Sequence, residues 1–163
     1  MQDERLEQLA LETARLLSGR QLVMAAAESC TGGWVAKVMT DVPGSSAWFD
    51  RGFVTYSNQS KMEMLGVRAD TLGFFGAVSE QVVLQMAGGA LARSRADVSV
   101  AVSGIAGPGG GSQYKPVGTV WMAWADEKRA VAERYWFAGG REQIRRQTVI
   151  HALQQLGAFC VKK

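Results

Sequence analysis

Apolar residues recur at helical spacing through residues 3–18, at Leu6, Leu9, Ala10, Leu16 and Leu17, and Gly19 then supplies a stop. "LVMAAA" (22–27) is a short unbroken apolar run suited to a buried strand. "GGWVAKVMTDV" opens a helix that must end before Pro43-Gly44. "GFVTYSN" (52–58) alternates and is rich in β-formers, which predicts a strand. "QSKMEMLGV" predicts a short helix closed by Gly66, and "LGFFGAV" a loop. Ser79 offers an N-cap for a helix with Val82, Val83, Met86, Ala90 and Leu91 on one side. "DVSVAVS" (97–103) predicts a strand, as do "VGTVWMAWAD" and "AVAERYWFA", which are joined by a polar turn around Asp126–Lys128. A final helix covers about 141–157.

Helices alternating with strands over this length, with no repeat, linker or change of composition, argue for one α/β domain spanning residues 1–163. The expected architecture is a three-layer α/β/α sandwich. Its sheet should be mixed, because the adjacent strands 118–125 and 130–138 are placed to form a hairpin.

Composition narrows the function. Hydrophobic residues make up 47% of the chain, enough for a substantial core, and the 20% that are charged form no long run of one sign. The net charge of +3 is spread along the chain, which suits an anionic small molecule and argues against a nucleic-acid partner. The charged start "MQDERLEQLA" lacks the apolar stretch of a signal peptide. No run approaches the roughly 18 apolar residues of a membrane span. A cytoplasmic protein with no membrane contact is therefore expected, its two cysteines, Cys30 and Cys160, reduced. The single histidine, His151, rules out a zinc site built on several histidines. It falls late in a helical segment, where a place at the helix surface is expected, so hydrolytic chemistry would need another base.

Three stretches carry candidate chemistry. "ESCTGG" places Glu28, Ser29, Cys30 and Thr31 where a strand meets a helix. Unpaired N–H groups there can hold a phosphate or an oxyanion, and Gly32 and Gly33 allow close approach. "SGIAGPGGGSQYKPVG" (103–118) leaves the end of another strand, so Ser103, Gly104 and Gly107 should form a second wall of the same cleft. In "TYSNQSK", Tyr56 lies near a strand end and Lys61 on the first turn of the next helix. A lysine whose pKa is lowered by burial can take a serine proton, and a tyrosine can relay or polarise it.

Taken together and in order, "AESCTGG", "FVTYSNQSK", "GAVSE" and "SGIAGPGGGS…KPVGTVW" resemble the CinA C-terminal domain family over about residues 5–157, and most closely its stand-alone nicotinamide-nucleotide amidases. The resemblance implies hydrolysis of the carboxamide of nicotinamide mononucleotide to nicotinic acid mononucleotide and ammonia, with no metal and no cofactor. It implies Ser29 as nucleophile and Tyr56 and Lys61 as its acid–base partners, with N–H groups near Thr31–Gly33 holding the oxyanion. Cys30 is the rival nucleophile, but successive residues leaving a strand point opposite ways, and the family points to Ser29. Arg141 and Arg145, near the start of the last helix, are candidates for the substrate's phosphate. The chain departs from many relatives in carrying Gly109 where they have an acid. A non-catalytic nucleotide-binding or competence-related module, or an amidohydrolase for a related amide, are the competing readings, and assembly into a homodimer is left open.

Overall fold

In the computed structural model, which describes residues 2–162, the first apolar stripe forms α1 (Gln2–Gly19). The short apolar run becomes β1 (Met24–Glu28), followed by α2 (Trp34–Thr40), a 3-10 turn at Ser45–Ala47 and β2 (Phe49–Val54). Three helices come next, α3 (Asn58–Leu65), α4 (Ala69–Phe75) and α5 (Glu80–Ala92). The chain closes with β3 (Val98–Gly104), β4 (Thr119–Asp126), β5 (Ala130–Trp136) and α6 (Arg141–Val161).

The five strands make one mixed sheet in the order β2-β1-β3-β4-β5. β1 runs parallel to both β2 and β3, whereas β4 pairs antiparallel with β3 and β5. This is the expected sandwich, with a core on each face of the sheet. Large side chains, among them Met24, Val100, Val102, Met122 and Trp124, fill one face under α1, α2 and α6. The other face is built of Ala25, Ala27, Ala101, Ala123 and Ala125, and α5 lies on it. Small residues let that helix come close, and the Ser99 hydroxyl donates to Ala87 O at 2.8 Å across the interface. The buried indole of Trp124 donates to Ala152 O, satisfying its N–H inside the opposite core.

Three expectations change. Residues 72–75 of the expected loop at 72–78 belong to α4 (Ala69–Phe75), and only 76–78 lie outside it. Only Thr71 and Leu72 of that helix are buried, so it shows no apolar stripe, and Gly73 and the two phenylalanines disguise it further. β2 begins at Phe49 and ends at Val54, earlier than the expected 52–58. The chain leaves the sheet there because Ser57 turns to cap α3, its side chain accepting the Ser60 N–H. The last helix runs on to Val161, burying Phe159 and Cys160. Among the described residues, no helix is long and apolar enough to cross a membrane.

Candidate active site

β1 and β3 are neighbours at the centre of the sheet, and the chain leaving β1 turns to the opposite face from the helices that precede β3. Their carboxyl ends therefore border a crevice of the kind where α/β sheets bind ligands. Glu28, the last residue of β1, is buried and aims into the start of α2. Its Oε1 accepts from the Thr31 hydroxyl at 2.6 Å and the Val35 N–H at 2.9 Å, and Oε2 accepts from the Ala36 N–H at 3.0 Å. One carboxylate thus satisfies amides that a helix start leaves unpaired and folds the intervening residues into a tight turn. That turn needs two successive left-handed residues, Gly32 (φ 60°) and Gly33 (φ 102°). The Gly32 N–H closes it onto Ser29 O at 3.1 Å, while the amides of Thr31 and Gly33 have no acceptor among the described residues.

Ser29 is held from below by its own N–H, which donates to Val102 O of β3. Lys61 comes from α3, on the far side of the turn from α2, and is buried to 1% exposure. Its Nζ lies 3.0 Å from Ser29 Oγ, 2.9 Å from Thr55 O and 3.2 Å from Tyr56 O. Burial lowers the amine's pKa from 10.5 to about 8, against a smaller opposing effect of the Cys30 side chain. The Cys30 thiol is itself buried, and desolvation pushes it up to about 12. The neighbouring thiol is thus kept protonated while the lysine is made available as a base.

The other expected residues take distinct places. Tyr56 meets Lys61 through its main-chain oxygen. Tyr56 is 61% exposed, and its phenol oxygen accepts from Arg141 Nη2 at 3.2 Å, with no hydrogen bond to Ser29 or Lys61 among the described residues. Arg141 Nη1 also donates to Gly107 O at 2.7 Å, in the loop that follows β3. Ser103 and Gly104 end that strand, with Ser103 buried. Arg145 spends two donors on the turn after β1, Nε on Cys30 O at 2.9 Å and Nη2 on Thr31 O at 3.2 Å. His151 packs against Tyr135 and Phe137 and lies within 2.9 Å of Gln147 O, half-buried on the face of α6. A groove of about 1020 Å³ between α1 and α2 borders the same turn at Thr31, Gly32, Gly33 and Arg145, but Ser29 and Lys61 do not line it.

Residues 6–160 match the CinA C-terminal domain. The chain belongs to the CinA C-terminal domain family. It is similar to the nicotinamide-nucleotide amidohydrolase PncC of Escherichia coli K12, with 55% identity over 96% of this chain and 95% of that protein. A protein of the same name from Pseudomonas putida is 59% identical over 80% of this chain and 81% of its own length. Among solved structures, the competence/damage inducible protein CihA of Agrobacterium tumefaciens superposes with a TM-score of 0.92 at 49% identity, covering 94% of each chain.

In this CinA-domain chain, three features of the site had no signal in the sequence. One is the capping of α2 by Glu28, whose partners Val35 and Ala36 are seven and eight positions away. Another is the pair of carbonyls around Lys61, and the third is the bracing of two loops by Arg141 and Arg145. At Gly109, no atom lies within 4 Å of where a Cβ would stand, so the backbone there leaves room for a side chain to begin.

Proposed function

We propose that this protein hydrolyses the carboxamide of nicotinamide mononucleotide to nicotinic acid mononucleotide and ammonia, with Ser29 as nucleophile. The observation that carries the reading is the 3.0 Å contact between Ser29 Oγ and the buried amine of Lys61. The names of the relatives supply the substrate.

Neutral Lys61 takes the Ser29 proton as Oγ attacks the amide carbon. The oxyanion that forms is stabilised by the unpaired amides of Thr31 and Gly33. Lys61 then returns the proton to the amide nitrogen, the C–N bond breaks and ammonia leaves, with the acyl group on Ser29. A water repeats the cycle: Lys61 accepts its proton, the ester carbon–oxygen bond breaks, and Oγ recovers its hydrogen. Tyr56 fixes Lys61 through its carbonyl and offers its phenol to the substrate side of the cleft. Ser103, Gly104 and Gly107 form the facing wall. Arg145, with Nη1 uncommitted among the described residues, is the cation for the phosphate. No step calls on a metal or a cofactor. The nucleotide substrate goes with the cytoplasmic location expected from the sequence.

Ammonia release from nicotinamide mononucleotide by the purified protein tests the reading. Turnover by the wild type and none by Ser29→Ala is the expected outcome. Binding of the nucleotide without ammonia release would favour a non-catalytic module instead.

A further inference from the structure

Arg141 is the first residue of α6, and its guanidinium reaches two other segments at once. Nη1 donates to Gly107 O in the β3–β4 loop, and Nη2 donates to the Tyr56 hydroxyl in the turn after β2. The turn after β2 also meets Lys61 through the Tyr56 carbonyl, and among the described residues Arg141 is the side chain hydrogen-bonded to both segments. We propose that Arg141 is a positioning residue, a strap that holds the Tyr56 phenol and the β3–β4 loop in one geometry, and not a ligand of the substrate's phosphate. This rests on the amidase reading above.

The hydrogen-bond pattern carries the inference. Tyr56 is anchored at its main chain, where its carbonyl accepts from Lys61, but among the described residues its hydroxyl has one polar side-chain partner, Arg141. Because the phenol oxygen accepts from a guanidinium, its own hydrogen remains available for a further acceptor. Without Arg141, the ring would recover its rotamer freedom and the hydroxyl its rotation. The role needs a planar fork: two donors at fixed spacing meet two acceptors on different segments, which a single ammonium on a flexible stem does not reproduce. One N–H of each terminal nitrogen is spent on these two acceptors, which fixes the plane of the guanidinium and ties it to both segments.

The test compares wild type, Arg141→Gln, Arg141→Lys, Tyr56→Phe and the Arg141→Gln/Tyr56→Phe double variant on nicotinamide mononucleotide and on the phosphate-free nicotinamide riboside. A strap predicts that Arg141→Gln lowers kcat by about tenfold, the scale of one charge-assisted hydrogen bond, equally on both substrates and with KM little changed. Arg141→Lys should fail to rescue, and Arg141→Gln should cost little more once Tyr56 is Phe. A loss confined to the KM of the mononucleotide would overturn the proposal, as would full rescue by lysine or effects that multiply in the double variant. If the wild type releases ammonia from neither compound, the amidase reading fails, and amide hydrogen exchange then judges the strap. Faster exchange over residues 105–118 in Arg141→Gln supports it, and unchanged exchange overturns it.

Discussion

Lys61 has three acceptors around its nitrogen, Ser29 Oγ and the carbonyls of Thr55 and Tyr56. A charged ammonium donates to all three. When one proton is lost, two N–H groups remain for the two carbonyls, and the lone pair faces the serine. The neutral amine is therefore already oriented as a base, and burial lowers its pKa to about 8 so that a useful fraction is neutral under mild conditions. The rate should rise with pH through an ionisation near that value, and Lys61→Met should abolish the rise and cost about 10²–10⁴ in rate. A folded Lys61→Met protein with an unaltered pH–rate profile would remove Lys61 from the mechanism. Cys30 gives the opposite expectation. With its thiol held up at about 12, almost none is thiolate near neutral pH, so Cys30→Ala should keep most of the activity that Ser29→Ala loses.

Between elements, the position of Lys61 depends on how closely α3 can lie on α5. A Cβ built at Gly89 of α5 would stand 2.0 Å from Leu65 O, at the end of the helix that carries Lys61. Main chain cannot swing aside as a side chain does, so Gly89→Ala must push α3 away. The cost should be about 1–3 kcal/mol of stability, with a loss of activity as Nζ moves off Ser29. Its neighbour Gly88 has nothing within 4 Å of the same construction. Gly88→Ala should therefore be fully active and gain up to about 1 kcal/mol from helix propensity. Urea denaturation and ammonia release on both variants would check the contrast, and equal behaviour of the two would refute it.

At the scale of the whole molecule, the same lysine links pH to stability. Its folded pKa of about 8 lies below the ordinary 10.5, so between those values the unfolded chain binds more protons than the folded one. Stability from this group therefore rises with pH across that window, while below it both states are protonated and the cost of burying the charge is felt in full. Titrating groups other than Cys30, whose thiol feels the lysine's charge, cancel in a comparison with Lys61→Met. The difference in unfolding free energy should move in favour of the wild type from about pH 8 to about pH 10.5. Denaturant melts at the two ends of the window would measure it, and a constant difference would show that Lys61 is not desolvated.

Much of this was legible without coordinates. Short-range patterns carry the alternation of strands and helices, the hairpin of β4 and β5 that makes the sheet mixed, and the turn after β1 that bears Ser29, because periodicity and turn chemistry act over a few residues. The same patterns missed α4, whose buried side is only two residues wide, and misplaced β2, whose end is set by the Ser57 cap. Lys61 could be picked from sequence as a candidate base, yet its burial and its three acceptors belong to the tertiary structure. Ser29 and Lys61 are 32 positions apart, and Arg141 and Tyr56 are 85 apart. Contacts at such separations come from how the sheet orders its strands and how closely helices pack on it. Those distances, and the desolvation that follows from them, are what tune the amine, and only the folded chain decides them.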